Sequence, residues 1–288
     1  MSVKDRPLNP MADIFVRYLL GSEDNKDILI DFINAVFTQK GHELVVEIEL
    51  LNPFNLRSIR ESKESILDLK AKDKTGRWIN IEIQIDNDNS YANRSLYYWA
   101  KSYAGQLKSG EDYEDLNPAV CINLLDFEIF PQLPGYHSCF HITEKDQPEY
   151  ILSSHLQIHF IELPKNQLKN VTQVKDGLDR WCYYFENEGT MEEEEMTVLL
   201  KDNQAIGKAH KVYRDFTANS ELMDMAEARE KWLKDVATKL RHAEARGQEE
   251  GIKINSRENA RKMIEEGLNI PLIARITGLT EKEIAELQ

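Results

Sequence analysis

Asp68, Glu82 and Gln84 belong to one stretch, SILDLKAKDKTGRWINIEIQIDN over residues 65–87, whose spacing suits the binding of a divalent cation. Ile66, Leu67, Leu69 and Ala71 are interrupted by Asp68, Lys70 and Lys72, while Ile79, Ile81, Ile83 and Ile85 alternate with Asn80, Glu82, Gln84 and Asp86. Period two with β-branched residues predicts half-buried strands, and Lys74-Thr75-Gly76 between them predicts a hairpin turn of about three residues. Closure symmetric about Thr75 sets Asp68 opposite Glu82, with Cβ atoms about 5 Å apart. Carboxylates at that separation can share one ion.

A solvated sheet face also carries polar residues at alternate positions, so that reading stands beside the first. Two opposed like charges nevertheless repel, and they destabilise a sheet unless a cation or a strong donor offsets them. The arrangement is costly for a merely wet surface.

Several elements must hold this hairpin. Asn9-Pro10 leads into a helix over residues 11–20 with Ile14, Phe15, Tyr18 and Leu19 on its apolar stripe, and a second helix over 27–37 buries Ile28, Leu29, Phe32, Ile33 and Val36. A strand is expected over 44–51, then a polar connection over 52–65. Residues 57–77 hold seven basic side chains against four acidic ones. After the hairpin comes a long helix over 90–109, in which Arg94, Lys101 and Lys108 recur every seven residues. Tyr97, Tyr98, Trp99 and Tyr103 nearly encircle it, so some of them must be buried. The apolar run over 118–125 reads as a strand covered on both faces. Further strands are expected near 137–142 and 157–163, where His137, His141, His155 and His159 read as sheet-face histidines in preference to a zinc site. From Val174 onward the pattern is helical, with a charged helix over 220–246 carrying a thin seam of Leu222, Met225, Trp232, Val236 and Leu240.

The 288 residues carry a net charge of −14 and 41% hydrophobic side chains. Residues 1–120 hold 15 basic and 20 acidic side chains, residues 121–220 hold 9 and 16, and residues 221–288 hold 12 and 14. No broad basic face is available, so nucleic acid would have to meet a local basic lining. Cys121, Cys139 and Cys182 show no metal-ligand spacing and read as reduced thiols. The first residues lack an apolar signal core and no run reaches membrane-spanning length, so a cytoplasmic protein without a membrane partner is expected.

An Asp, a strand-turn-strand and then Glu-x-Gln resembles the active-site hairpin of the PD-(D/E)XK nuclease superfamily, with Gln84 where Lys is usual. MADIFVRYLLGSEDNKDILIDFINAVF near the start and RSLYYWAKSYAGQLKSGEDYEDLNPAVCINLLDF after the hairpin resemble the Rpn family of recombination-promoting nucleases, often labelled transposases. The likeness spans residues 13–127 and returns in style over the last thirty-odd. It implies an α/β fold, a restriction-endonuclease-like mixed sheet flanked by helices, with a helical C-terminal region. The expected division is a nuclease core over 1–172, a helical extension over 173–220, and a charged long helix with a small tail over 221–288.

The resemblance implies a magnesium-dependent DNA endonuclease of little sequence specificity, tied to recombination or to mobile-element or defence biology. Asp68, Glu82 and the Ile83 carbonyl would hold magnesium or manganese, hard oxygens suiting either. Gln84 would orient the attacking water, and Lys70 or Arg94 would supply the charge that Gln cannot. Asp13 lies where family members can add a ligand, although an acidic residue in a first helical turn also simply favours the helix dipole. Arg57, Arg60, Lys72, Lys74, Lys101 and Lys108 are the candidate DNA contacts. A catalytically silent DNA-binding or regulatory protein is the rival reading; a true transposase lacks a second set of spaced acids. Near the end, Ile273-Ala274, a glycine turn and Thr280 capping EKEIAEL resemble a helix-turn-helix. Its last segment carries Glu281, Glu283 and Glu286 against Lys282, so packing or docking is expected of it rather than groove reading. The seam points to a homo-oligomer. The family resemblance also implies a short C-terminal product of the same gene, for which Met223, Met225 and Met263 are candidate starts.

Overall fold

A computed structural model of the chain describes residues 7–55, 69–85, 90–201 and 203–287. Among these, six strands form one mixed sheet in the order β1-β2-β3-β4-β6-β5. They are β1 (Ile48–Leu50), β2 (Leu69–Asp73), β3 (Trp78–Gln84), β4 (Ala119–Leu125), β5 (His137–Phe140) and β6 (Leu156–Glu162). The β3–β4 and β4–β6 pairs are parallel, and β1–β2, β2–β3 and β5–β6 are antiparallel. Parallel neighbours require a crossover, and α3 (Tyr91–Ala104) lies between β3 and β4 in the chain.

Helices cover both faces. On the isoleucine face, α1 (Asp13–Gly21) and α2 (Lys26–Lys40) join α4 (Gly177–Asn187) and α6 (Gln204–Ala218) over Ile79, Ile81, Ile83, Val120, Ile122 and Leu124. Aromatic edges tie these helices together: Phe32 meets Trp181 at 5.7 Å and Phe185 at 5.9 Å, all near-perpendicular. Truncating a fully buried aromatic such as Trp181 to Ala costs about 3–5 kcal/mol. The opposite face buries a smaller cluster of Tyr91, Cys121, Leu125, Phe127, Leu156, Ile158 and Phe160, with α3 laid across it. Every residue of β4 is buried, as a strand covered on both sides must be.

Some elements depart from expectation. The first strand is confined to Ile48–Leu50, because Val46 is exposed and offers no apolar alternation. The helix α3 ends at Ala104, ahead of Gly105, so Lys108 falls beyond it and the predicted basic stripe shortens to Arg94 and Lys101. None of Tyr97, Tyr98, Trp99 or Tyr103 is fully buried; Tyr91 is the aromatic that enters the core.

The chain divides into Met1–Glu227 and Ala228–Gln288. After α5 (Glu193–Leu200), α6 leads into α7 (Ser220–Glu265), which runs unbroken through Gly247 and Gly251. A glycine costs a helix interior about 1 kcal/mol, which ion pairs such as Glu249–Lys253 at 2.6 Å help offset. In the C-terminal unit α8 (Ile270–Thr277) and α9 (Glu281–Ala285) enclose Ala260, Ile273, Leu279 and Ile284. Asn269 caps α8, and Thr280 and Glu283 form a reciprocal capping box on α9. No helix among the described residues is long and apolar enough to cross a membrane.

Candidate active site

The β2–β3 turn is built around one carboxylate. Asp73 Oδ1 accepts from the Thr75 amide at 2.9 Å, the Thr75 hydroxyl at 2.7 Å and the Arg77 amide at 3.0 Å. Its Oδ2 takes the Arg77 guanidinium through Nε at 2.9 Å and Nη2 at 2.8 Å, a pair almost wholly buried. Arg77 also sits 4.7 Å over the Phe37 ring and donates to the Glu43 carbonyl, so this basic residue serves the turn and not a phosphate surface. Gly76 has φ +93, and a Cβ there would stand 2.4 Å from Asn117 Oδ1. Only glycine satisfies both demands.

The resulting register pairs Leu69 with Ile81, Lys70 with Asn80, Ala71 with Ile79 and Lys72 with Trp78, symmetric about Thr75 as anticipated. Asp68, together with Arg57 and Arg60, lies outside the described residues.

On β3 the isoleucines face α1, while Asn80, Glu82 and Gln84 face the α3 side. Glu82 is 5% exposed and Asn80 3%, which excludes a solvated sheet face. Asn80 Nδ2 donates to Glu82 Oε1 at 3.0 Å, and Asn80 Oδ1 is buried without a hydrogen-bond partner among the described residues. In the parallel register Glu82 stands beside Asn123, whose Oδ1 accepts from Tyr91 Oη and Ser95 Oγ at 3.1 Å each. Asn123 Nδ2 donates to the His159 carbonyl at 2.9 Å. Burial first, and the Glu82 charge second, push the Tyr91 phenol well above its ordinary range. Tyr91 therefore stays protonated and donates.

Gln84 is held by Arg94, whose Nη2 donates to Oε1 at 2.9 Å while its guanidinium lies 4.6 Å over the Tyr91 ring. This brings a permanent cation to the residue that stands in the lysine position of the resemblance. Lys70, half-buried and paired with Asn80, shares this side of the hairpin. The Ile83 side chain lies on the opposite side, which leaves only its main chain to serve.

Asp13 opens α1. It lines a crevice with Val16, Arg17, Leu69, Ile81 and Ile83, and its carboxylate accepts from the Ile14 amide at 2.7 Å. Among the basic candidates, Lys72 and Lys74 sit by the turn. Lys101 and Lys108 lie near the same end, because Trp99 donates to the Ala119 carbonyl and Gln106 to the Asn117 carbonyl. Gln84 stands six residues along β3 from Trp78, about 20 Å at the usual strand rise. These lysines and the Glu82–Gln84 segment occupy different ends of the strand.

Tyr91, Ser95 and Asn123 had no place in the sequence reading, and Asn80 entered it only as a polar position of the strand. One signal was there: Asn123 is the single polar side chain in an otherwise apolar strand, and a buried amide needs partners. The donor set is consistent with a hard cation. A buried carboxylate and an unsatisfied amide oxygen lie together, and oxygen ligands are what magnesium and manganese take.

Comparison with known proteins gives two family matches. A family model described as PD-(D/E)XK nuclease family transposase matches residues 10–243, and one described as the C-terminal HTH domain of the Rpn/YhgA-like nuclease family matches residues 253–288. No curated protein and no solved structure matches the chain. A match over residues 10–243, on a mixed sheet whose central hairpin buries Glu82 and ties Gln84 to Arg94, means that the chain belongs to the PD-(D/E)XK nuclease family of transposases.

Proposed function

We propose that the protein is a magnesium-dependent DNA endonuclease that hydrolyses phosphodiester bonds with little sequence specificity, in recombination or in mobile-element or defence biology. The observation that carries this reading is the buried Glu82 carboxylate, two residues from a glutamine held by an arginine. Asp68, Glu82 and the Ile83 carbonyl are the proposed ligands of magnesium, with manganese able to replace it. The chemistry such an ion supplies when bound is polarisation of the scissile phosphate and a lowered pKa of water.

Each side chain then has a task. Gln84 accepts from Arg94 through Oε1, which leaves its amide N–H groups to orient the attacking water. The Arg94 guanidinium offsets charge that develops on the phosphate, the role that lysine plays in the superfamily pattern, and Lys70 is a second source. Tyr91, held neutral, keeps another negative charge away from Glu82. Lys72, Lys74, Lys101 and Lys108 are proposed contacts to the DNA backbone at a distance from the cleavage point, and Arg57 and Arg60, outside the described residues, are proposed contacts as well.

Digestion of supercoiled plasmid tests the proposal. The wild type should nick it with magnesium and not with EDTA, and Asp68→Ala and Glu82→Ala should abolish nicking. Equal nicking by both variants would leave a binding protein that keeps the fold. The exposed seam of Trp232 and Leu240 on α7 supports self-association, which Leu240→Glu should weaken in a sedimentation measurement.

A further inference from the structure

A second cluster of ligand-type side chains lies at the β6–β5 edge of the sheet, away from β3. His42, Cys139 and His141 place their donor atoms within 4.8 Å of one another. Cys139 Sγ is 3.3 Å from His141 Nε2 and 3.7 Å from His42 Nε2, and His159 Nε2 reaches the same sulfur at 3.7 Å. Zinc bonds of about 2.3 Å to sulfur and about 2.0 Å to nitrogen at tetrahedral angles set such atoms about 3.5 Å apart. We propose that His42, Cys139 and His141 bind a transition-metal ion of the zinc class, with His159 the nearest fourth donor.

The surroundings aim the ligands. Gly41, in the left-handed conformation at the end of α2, turns the chain so that the His42 amide donates back to the Phe37 carbonyl. Cys139 and His141 are two apart at the edge strand, and Cys139 pairs with His159 in the β5–β6 register. His141 Nδ1 lies 3.2 Å from the Leu156 carbonyl, which can only accept, so in a neutral ring Nε2 carries the lone pair. A longer relay orients His159. Gln39 Nε2 donates to the Asp176 carboxylate at 3.2 Å and to Tyr136 Oη at 2.7 Å, which turns Gln39 Oε1 toward His137 Nδ1 at 2.6 Å. His137 Nε2 then accepts from His159 Nδ1 at 3.0 Å, and the His159 Nε2 lone pair faces the sulfur.

A thiol has one proton. It can satisfy the lone pair of His141 or that of His159, but not both, whereas one cation serves every donor. Hydrogen bonding of the far imidazole nitrogen to a carbonyl or an amide is how metal-binding histidines are fixed. Imidazole and thiolate also select zinc-class ions over magnesium, so this site and the proposed catalytic one would not compete for metal. His42, Cys139 and His141 are each partly exposed, which gives an ion entry. The ion would fasten the turn after α2 to the edge strand β5, a structural role.

Untagged full-length protein, equilibrated with zinc sulfate and then exchanged into zinc-free buffer, should retain about one zinc per chain by mass spectrometry. Glu82→Gln should retain it equally, and Cys139→Ser and His141→Ala should each hold about tenfold less. Cobalt(II) added to chelator-treated wild type provides a readout that needs no variant. Thiolate-to-cobalt charge transfer in the near ultraviolet, with strong visible bands of tetrahedral cobalt, is expected. Zinc far below stoichiometry, a weak octahedral cobalt spectrum, or undiminished zinc in folded Cys139→Ser would each overturn the proposal.

Discussion

The β2–β3 hairpin and the β6–β5 edge are two polar corners of one sheet, and they differ in donor chemistry. The hairpin gathers oxygen and amide groups under α3: Glu82, Asn80, Gln84, with Arg94 as the neighbouring cation. The edge gathers nitrogen and sulfur beneath the end of α2: His42, Cys139, His141 and His159. Hard oxygens suit an ion that must meet a phosphate and exchange water; imidazole and thiolate suit one that stays. On the two proposals made above, one sheet would separate a reactive corner from a structural one by ligand type.

The sharpest way to break this contrast is at Glu82. Glu82→Ala should lower nicking by about 10³-fold or more, equivalent to about 4 kcal/mol of transition-state stabilisation, while zinc content holds steady. A gel assay beside metal analysis reads both. If both metals were lost together, the two corners would be one site.

Asp73→Asn tests the scaffold of the hairpin. It strands the buried Arg77 charge, so urea unfolding should show a loss of about 3–5 kcal/mol. A loss below about 1 kcal/mol would mean that the pair behaves as a surface ion pair does.

Arg94→Ala should lower single-turnover cleavage by about 10²-fold, with Arg94→Lys recovering part of it by restoring charge without the paired geometry. An unchanged rate would move the positive charge from Arg94 to Lys70.

The smallest effect lies outside both corners, at buried Glu188. Burial raises its carboxyl above the ordinary range, with His210 at 3.1 Å acting the other way. The folded state therefore holds a proton that the unfolded chain releases near pH 4.5, and stability falls as pH rises through that window. Glu188→Gln should flatten this decline by about 1 kcal/mol or less, read from urea midpoints at pH 4, 5 and 7.

The hairpin was legible because its determinants are local. Alternation of Ile79, Ile81 and Ile83 set the buried face, and a glycine in a three-residue turn set the register. Burial of the polar face was not legible, since it depends on which side of α3 meets the sheet. That side is Tyr91, Ser95 and Trp99, spaced four apart, with small Ser95 letting the helix approach Asn123. The neighbouring aromatics misled: Tyr97 is 62% exposed, while Trp99 and Tyr103 stack at 5.1 Å along the rim. The metal-ligand spacing of the edge was invisible because His42 and Cys139 are 97 residues apart. The antiparallel pairing of β5 with β6 sets Cys139 beside His159, and the turn after α2 brings His42 to the same sulfur.

The Asp73 turn has a consequence for the order in which the chain folds. Its bonds span two to four residues, so almost no loop entropy opposes them, and such a hairpin closes in about 1–10 μs. The β3–β4 pairing must wait for a crossover through α3, a slower and less local event. A one-residue slip would turn every isoleucine of β3 to the wrong side, and the early turn forbids it before the rest of the sheet arrives. On that order of events, the alignment that sets Glu82 beside Asn123 of β4 would be inherited from the early turn and not selected at the end.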